Sequence, residues 1–204
     1  MEKLNPELSE KTVEKNPFHQ FQKWFNEVTN RGIEWAEAAS LATVGLKGKP
    51  SNRIVLFKEL DEKGFIFFTN YSSRKAVELE ENPNASLLFY WKEFERQIRI
   101  EGIIEKVSRD KSEEYFHSRP RESQIGAWAS NQSKKIPDRQ YLDDKFAEFE
   151  IKFGNNEIPL PKFWGGYRLV PGYFEFWQSR ESRLHDRICY KLNKIAWEIF
   201  RLAP

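Results

Sequence analysis

The sequence predicts a mainly β protein with peripheral helices, an α+β chain built on a small antiparallel barrel. Three observations carry this. Short runs rich in β-branched and aromatic residues follow one another from Leu41 onward, separated by turn residues. A few polar segments with helical spacing lie between them. The alternating strand–helix units and glycine-rich phosphate loop of a doubly wound sheet are missing from the pattern.

Taken in order, residues 1–16 are polar and charged and are expected as a flexible N-terminal arm. Residues 17–204 fit one domain by length. Over 17–30, Phe18, Phe21, Phe25 and Val28 recur at the period of an amphipathic helix, with Gly32 as its stop. Strands are expected over 41–44 and 53–58, joined by the turn GLKGKP, and then over 65–69 after the turn DEKG. A helix over 74–81 starts after Ser72-Ser73 and ends at Asn82-Pro83. Strands over 85–91 and 97–107 follow, then helices over 110–118 and 141–153. Four further strands are expected over 166–170, 173–177, 188–192 and 197–202.

Composition narrows the function. With 17 Phe, 7 Trp and 7 Tyr the chain carries enough apolar surface to fold, which excludes a disordered chain. The 33 basic residues are nearly balanced by 31 acidic ones, which argues against a dedicated nucleic-acid binder. A single cysteine, Cys189, allows no intrachain disulfide and no multi-cysteine metal site. No His/Asp/Glu group shows metal-ligand spacing. The longest apolar runs, 65–68 and 87–91, are too short to cross a bilayer, and the N-terminus lacks a signal-peptide core. A cytoplasmic protein is expected.

Five segments could carry chemistry. In RIVLFK (53–58), a regular strand would send Arg53 and Lys58 to opposite faces, where they could serve two different anions or simply reach solvent. In SSRK (72–75), Arg74 and Lys75 oppose the positive end of a helix dipole, and either a bound phosphate explains them or they are an ordinary exposed basic pair. In RQIRIE (96–101), Gln97 shares the polar strand face with Arg99 and Glu101. In YFHSRPRES (115–123), Tyr115 and Arg119 share a helix face with Ser123 just beyond, a suitable set for a phosphate. The charged segment RESRLHDR (180–187) follows an aromatic strand and is otherwise a solvated turn. His117 and Cys189 are expected to be structural, and His19 has no assigned role.

These motifs, in this order, together with FFTNYSSRKA (67–76), SRPRESQIGAWAS (118–130), NQS (131–133), FWGGYRL (163–169), FEFWQ (174–178), RLHDR (183–187) and the terminal RLAP, resemble the pyridoxine/pyridoxamine 5′-phosphate oxidases. The likeness runs from about Pro17 to Pro204. It implies an FMN-binding split β-barrel and a homodimer with FMN at the subunit interface. By motif, Arg53, Ile54, Val55, Leu56, Arg74, Lys75, Gln132 and Ser133 would hold the cofactor phosphate and ribityl chain. Phe68 and Thr69 would lie beside the flavin, and Gln97, Trp177 and Arg187 would contact it. Lys58, Tyr115, Arg119 and Ser123 would hold the substrate phosphate, while Arg183, Leu184 and His185 would cover the substrate ring. Arg183 and His185 are the expected catalytic residues, with His185 as proton acceptor. Phe57 stands where the family usually has an aliphatic residue, and Phe68 where it often has tyrosine. The implied reaction oxidises pyridoxine or pyridoxamine 5′-phosphate to pyridoxal 5′-phosphate, with O₂ as acceptor. A non-catalytic flavin or pyridoxal-phosphate binder and a nicotinamide-dependent reductase are the alternatives. No nucleic acid or membrane partner is implied.

Overall fold

The computed structural model describes residues 7–204. Helix α1 (Pro17–Asn30) begins where Asn16 caps it. Asn16 Oδ1 accepts the Phe18 N–H at 2.9 Å, and Pro17 sits in the first turn, where no N–H is required. Strands β1 (Ala38–Val44) and β2 (Pro50–Leu56) form the expected hairpin. The strand expected over 53–58 does not run through. The chain leaves the sheet at Phe57 and Lys58 and re-enters as β3 (Glu59–Leu60). Phe57 is the cause: its ring turns into the core against Phe21, Phe25, Phe65 and Phe89. The DEKG turn therefore joins β3 to β4 (Phe65–Asn70), and β2 is not its other arm.

Helix α2 (Arg74–Glu81) leads to β5 (Asn84–Trp91) and β6 (Arg96–Lys106). Three helices follow, α3 (Arg109–Ser118), α4 (Arg121–Ala129) and α5 (Gln140–Phe153). The chain ends in β7 (Trp164–Gln178), β8 (Asp186–Asn193) and β9 (Ala196–Arg201). Helix α4 was not expected. The strands expected over 166–170 and 173–177 are one strand, β7, interrupted only by a bulge. There Glu101 faces Tyr173 while Gly102 faces Pro171, leaving Gly172 as the extra residue. Gly102 is required at that point, because a Cβ would collide with the Val170 carbonyl and with Pro171.

The sheet order is β2-β1-β5-β6-β7-β4-β3, with β8 and β9 continuing from β7. Its two ends, β2 and β3, are separated in sequence only by Phe57 and Lys58, so the sheet curls into a barrel. The Lys58 N–H closes the gap by donating to the Ile66 carbonyl at 2.9 Å. Leu41, Leu87, Phe89, Ile98, Ile100, Leu169, Phe174 and Phe176 fill the interior, and α1 packs against the same core through Phe21, Trp24 and Val28. Phe21 is fully buried and has ring contacts with Phe25, Phe57, Phe65, Phe89 and Trp91. Phe21→Ala should therefore cost about 3–5 kcal/mol in denaturant unfolding, with the cavity preserved by its rigid aromatic walls.

Of the segment expected as a flexible arm, residues 1–6 lie outside the described residues. Residues 7–16 are docked, because Leu8 and Val13 give them apolar side chains to bury. The Leu8 N–H donates to Asp186 Oδ2 at 3.3 Å, Arg201 Nη2 donates to the Leu8 carbonyl at 2.7 Å, and the Tyr190 hydroxyl donates to the Glu14 carbonyl at 2.7 Å. Among the described residues no helix is long and apolar enough to cross a membrane.

Candidate functional site

Where α3 ends and α4 begins, the chain turns sharply at Arg119 and Pro120. Pro120 is the N-cap of α4, and no side chain caps that helix, so its positive end faces the junction. Tyr115 from the last turns of α3, Arg119 at its C-cap and Ser123 in the first turn of α4 converge there. They line a cavity of about 400 Å³ together with Lys58, Leu56, Phe68, Thr69 and Gln132. Eight residues that the sequence singled out thus share one cavity. Its floor is aromatic. The Phe68 and Tyr115 rings stack at 3.9 Å, and Trp164 lies parallel to Phe68 at 5.6 Å. The Arg119 guanidinium lies 4.8 Å from the Trp164 ring centroid. Its Nη1 is buried and has no hydrogen-bond partner. An orphaned guanidinium donor in a polar cavity calls for an anion. Burial lowers the Arg119 pKa, partly offset by Tyr115, and burial raises that of Tyr115, partly offset by Arg119.

A second group of cations adjoins this cavity. Lys75, buried at the start of α2, donates from Nζ to Gln132 Oε1 at 2.8 Å, Thr69 Oγ1 at 3.1 Å and Ser73 Oγ at 3.3 Å. All three acceptors are neutral. Burial, aided by the nearby Arg53 charge, holds the Lys75 ammonium down at about 8. Thr69 also donates to Gln132 Oε1 at 3.2 Å, tying this lysine to the cavity wall. Arg53 in β2 and Arg74 in α2 meet at one carboxylate, Glu78. Arg74 Nε donates to its Oε1 at 2.8 Å, while Oε2 accepts from Thr43 and Ser51 at 2.5 Å each and from Arg53 Nη2 at 3.3 Å. Burial alone would raise the Glu78 carboxyl, but the bonds from Ser51, Thr43 and Arg74 outweigh it and pull it down to about 2. Arg53 and Arg74 share one carboxylate while the neighbouring Lys75 has neutral partners only, and the donor set suits a phosphate.

The remaining predicted residues lie elsewhere. Gln97, Trp177 and Arg187 are register partners in one row across β6, β7 and β8. Glu175 in β7 holds Arg187 through two hydrogen bonds, at 2.9 and 3.0 Å, and accepts from Arg99 at 2.5 Å. The turn before β8 carries Arg183 and Leu184, both exposed, and His185, whose ring lies 4.7 Å from that of Trp177. Ser182 and Arg183 have φ of 54° and 62°, a left-handed pair that turns the chain back over the sheet. His185 Nδ1 accepts the Arg180 backbone N–H at 3.1 Å, so the neutral ring carries its proton on Nε2. Thr69 and Phe68 are paired with Gly165 and Gly166 at the start of β7, whereas Gln97 is paired with Trp177 near its end. At roughly 3.3 Å per residue, about 40 Å of strand separates the two rows. Within one chain the structure does not bring them together. Ser133 and Ile54 are exposed, and Val55 points into the barrel core.

Comparison with known proteins identifies the family. A family model described as pyridoxamine 5′-phosphate oxidase matches residues 25–153, and one described as the pyridoxine 5′-phosphate oxidase C-terminal dimerisation region matches residues 164–204. The chain belongs to the pyridoxine/pyridoxamine 5′-phosphate oxidase family. Relatives bearing that name include one from Trichormus variabilis, 52% identical over 97% of this chain and 92% of the relative. Another, from Leptospira interrogans, is 55% identical over 90% of this chain and 86% of the relative. Among solved structures, PhzG from Burkholderia lata, crystallised with tetrahydrophenazine-1-carboxylic acid, superposes with a TM-score of 0.91 at 30% identity, covering 97% of this chain and 98% of that one. A pyridoxamine 5′-phosphate oxidase-related, FMN-binding protein from Nostoc punctiforme has a TM-score of 0.75 at 18% identity over 93% of this chain and 98% of that one, which speaks to the split-barrel fold alone.

The two departures from the usual family pattern have structural accounts. Phe57 completes the aromatic cluster around Phe21, and Phe68 stacks on Tyr115 through its whole face. Glu78, Glu175 and Trp164 did not stand out in the sequence. The two glutamates lie in ordinary helical and strand positions, and only the fold shows that each gathers two arginines.

Proposed function

We propose that this protein oxidises pyridoxine 5′-phosphate or pyridoxamine 5′-phosphate to pyridoxal 5′-phosphate, with FMN as cofactor and O₂ as electron acceptor. The observation that carries the reading is the cavity holding Lys58, Tyr115, Ser123 and the orphaned Arg119 donor. A substrate phosphate carries about −1.5 to −2 charges, and these groups would anchor it beside the uncapped N-terminus of α4. Arg53, Arg74 and Lys75, with Gln132 and Ser133, would hold the cofactor phosphate and ribityl chain. Their donors outnumber the one carboxylate among them. The chemistry that FMN would supply there is acceptance of a hydride from the substrate C4′, with O₂ as the final electron acceptor and H₂O₂ as the product. For the alcohol, O₂ takes up both hydrogens. For the amine, water enters and ammonia leaves.

The row Gln97–Trp177–Arg187 would complete the cofactor site from a second copy, since the strand between the rows is longer than a flavin mononucleotide. This supports a homodimer with two sites between the subunits. It would also bring Arg183, Leu184 and His185 over a substrate ring anchored by the other copy. With Nδ1 occupied by the Arg180 amide, His185 presents Nε2–H. We therefore assign it hydrogen-bond donation to the substrate in place of proton acceptance. Fixing both ends of a rigid ring makes the transfer effectively unimolecular. His185→Ala should lower kcat by about tenfold to a hundredfold in steady-state assays, with His185→Gln recovering part of it. If Arg183→Ala and His185→Ala both keep full kcat and KM, the assignment fails.

The likeness to PhzG favours a second reading, oxidation of a ring acid without a phosphate. Purified protein supplied with FMN decides between them. Turnover of the phosphorylated vitamers with matching H₂O₂ supports the first reading, and turnover of a dihydroaromatic acid alone supports the second.

A further inference from the structure

We propose that Glu78 is a positioning residue for the phosphate end of the cofactor, fixing Arg53 and Arg74 as one preformed cradle. The inference rests on the reading that these arginines and Lys75 receive the FMN phosphate. Glu78 is buried at the inner face of α2, yet its carboxylate is fully engaged from three separate elements. Thr43 comes from β1, Ser51 and Arg53 from β2, and Arg74 from α2 itself. No other acidic side chain is paired with either arginine among the described residues.

The chemistry of the arrangement follows from its parts. Arg74 is largely exposed, with 63% of its side-chain surface accessible, and without an anchor its long stem would sample many rotamers. The Glu78 bond fixes its Nε and leaves the two terminal nitrogens for an incoming anion. Arg53 is held from several sides. Its Nη1 donates to the Leu41 carbonyl at 3.1 Å and to Thr43 at 2.6 Å, and its Nη2 donates to Ser51 and Glu78. Thr43 and Ser51 each contact both Arg53 and Glu78, so the four groups form a closed network. A preformed cradle binds its anion without the cost of ordering the arginines at that moment. Lys75 stands apart from this network with neutral partners only, as the cation whose charge is left for the ligand.

A glutamine has the same shape as Glu78 but offers an amide N–H₂ where Arg74 or Arg53 needs an acceptor. One charge-assisted hydrogen bond is then lost, worth about tenfold in affinity. The full chain, stripped of flavin, is titrated with FMN and separately with riboflavin, following flavin fluorescence. The wild type should prefer FMN. Glu78→Gln should weaken FMN about tenfold and leave riboflavin unchanged, because only the phosphate end is disturbed. In an Arg74→Ala background the same substitution should lose most of its effect. Equal weakening of both flavins would show a merely structural residue and overturn the proposal. Unchanged or tighter FMN binding would overturn it too, showing that the carboxylate only offsets positive charge. A wild type that does not distinguish FMN from riboflavin would instead sink the underlying reading of the cradle. Should Glu78→Gln fail to fold, Ser51→Ala takes its place, with a smaller FMN-selective loss expected and the same outcomes decisive.

Discussion

Arg119→Ala should raise KM for pyridoxine 5′-phosphate by roughly a hundredfold while changing kcat far less. The guanidinium lies over Trp164 with a buried, unpartnered Nη1, so part of its desolvation is already met before substrate arrives. Truncating one partner of a buried charge pair costs about 2–5 kcal/mol, which is a factor of thirty to several thousand in affinity. Because the role proposed for this group is to hold a remote phosphate, the loss should fall on binding, and a comparison with unphosphorylated pyridoxine isolates it. Arg119→Lys should restore only part of the affinity, since an ammonium cannot reproduce the planar pair of donors. Steady-state kinetics with both substrates checks this. An unchanged KM for the phosphorylated substrate would remove Arg119 from the anchor.

The second large effect belongs to Lys75. Lys75→Met should weaken FMN by about a hundredfold or more, again within the range for a truncated buried charge pair. It should also abolish a pH dependence that the wild type shows. With its ammonium held near 8, Lys75 is protonated at neutral pH and loses its proton as pH rises. FMN affinity in the wild type should therefore be nearly flat between about pH 7 and 7.5 and fall above about 8. Stability of the flavin-free protein has the opposite sign. The folded state binds this proton less tightly than the unfolded chain, so stability should rise with pH from about 8 towards the ordinary lysine value of 10.5. Lys75→Met, which has no proton to lose, should make the flavin-free protein more stable at pH 7. Titrations of FMN binding and thermal unfolding across pH read both signs. A wild-type FMN affinity that is flat through pH 9 would contradict the role given to Lys75.

Much of this architecture is visible in the residues. The α1 spacing of Phe18, Phe21, Phe25 and Val28 predicts both the helix and its buried face, because a period near 3.6 has no other structural use. The hairpin of β1 and β2 follows from its glycine-containing turn. The break at Phe57 does not, since RIVLFK has unbroken strand propensity and only the demand of the core for an aromatic ring pulls the chain out of register. Helix α4 was hidden for a related reason: Pro120 marks the end of one helix, and it equally begins the next.

The site divides in the same way. Tyr115, Arg119 and Ser123 are close in sequence, so their meeting at the α3–α4 junction is local geometry. The Arg53–Glu78–Arg74 network joins β1, β2 and α2, and no local pattern announces it. Glu78 looks in sequence like one acid among several in RKAVELEE. Its partners become evident only when α2 packs across the first hairpin. The separation of the two rows along β7 is likewise a property of the sheet order.

Anaerobic mixing of the FMN-loaded protein with pyridoxine 5′-phosphate tests the central claim most directly. The account predicts that the substrate alone bleaches the flavin absorbance, and that admitting O₂ restores it with pyridoxal 5′-phosphate and H₂O₂ in equal amounts. A flavin that stays oxidised with the phosphorylated substrate but bleaches with NADH would contradict it and make the protein a reductase. A flavin that stays oxidised with both would make it a binding protein.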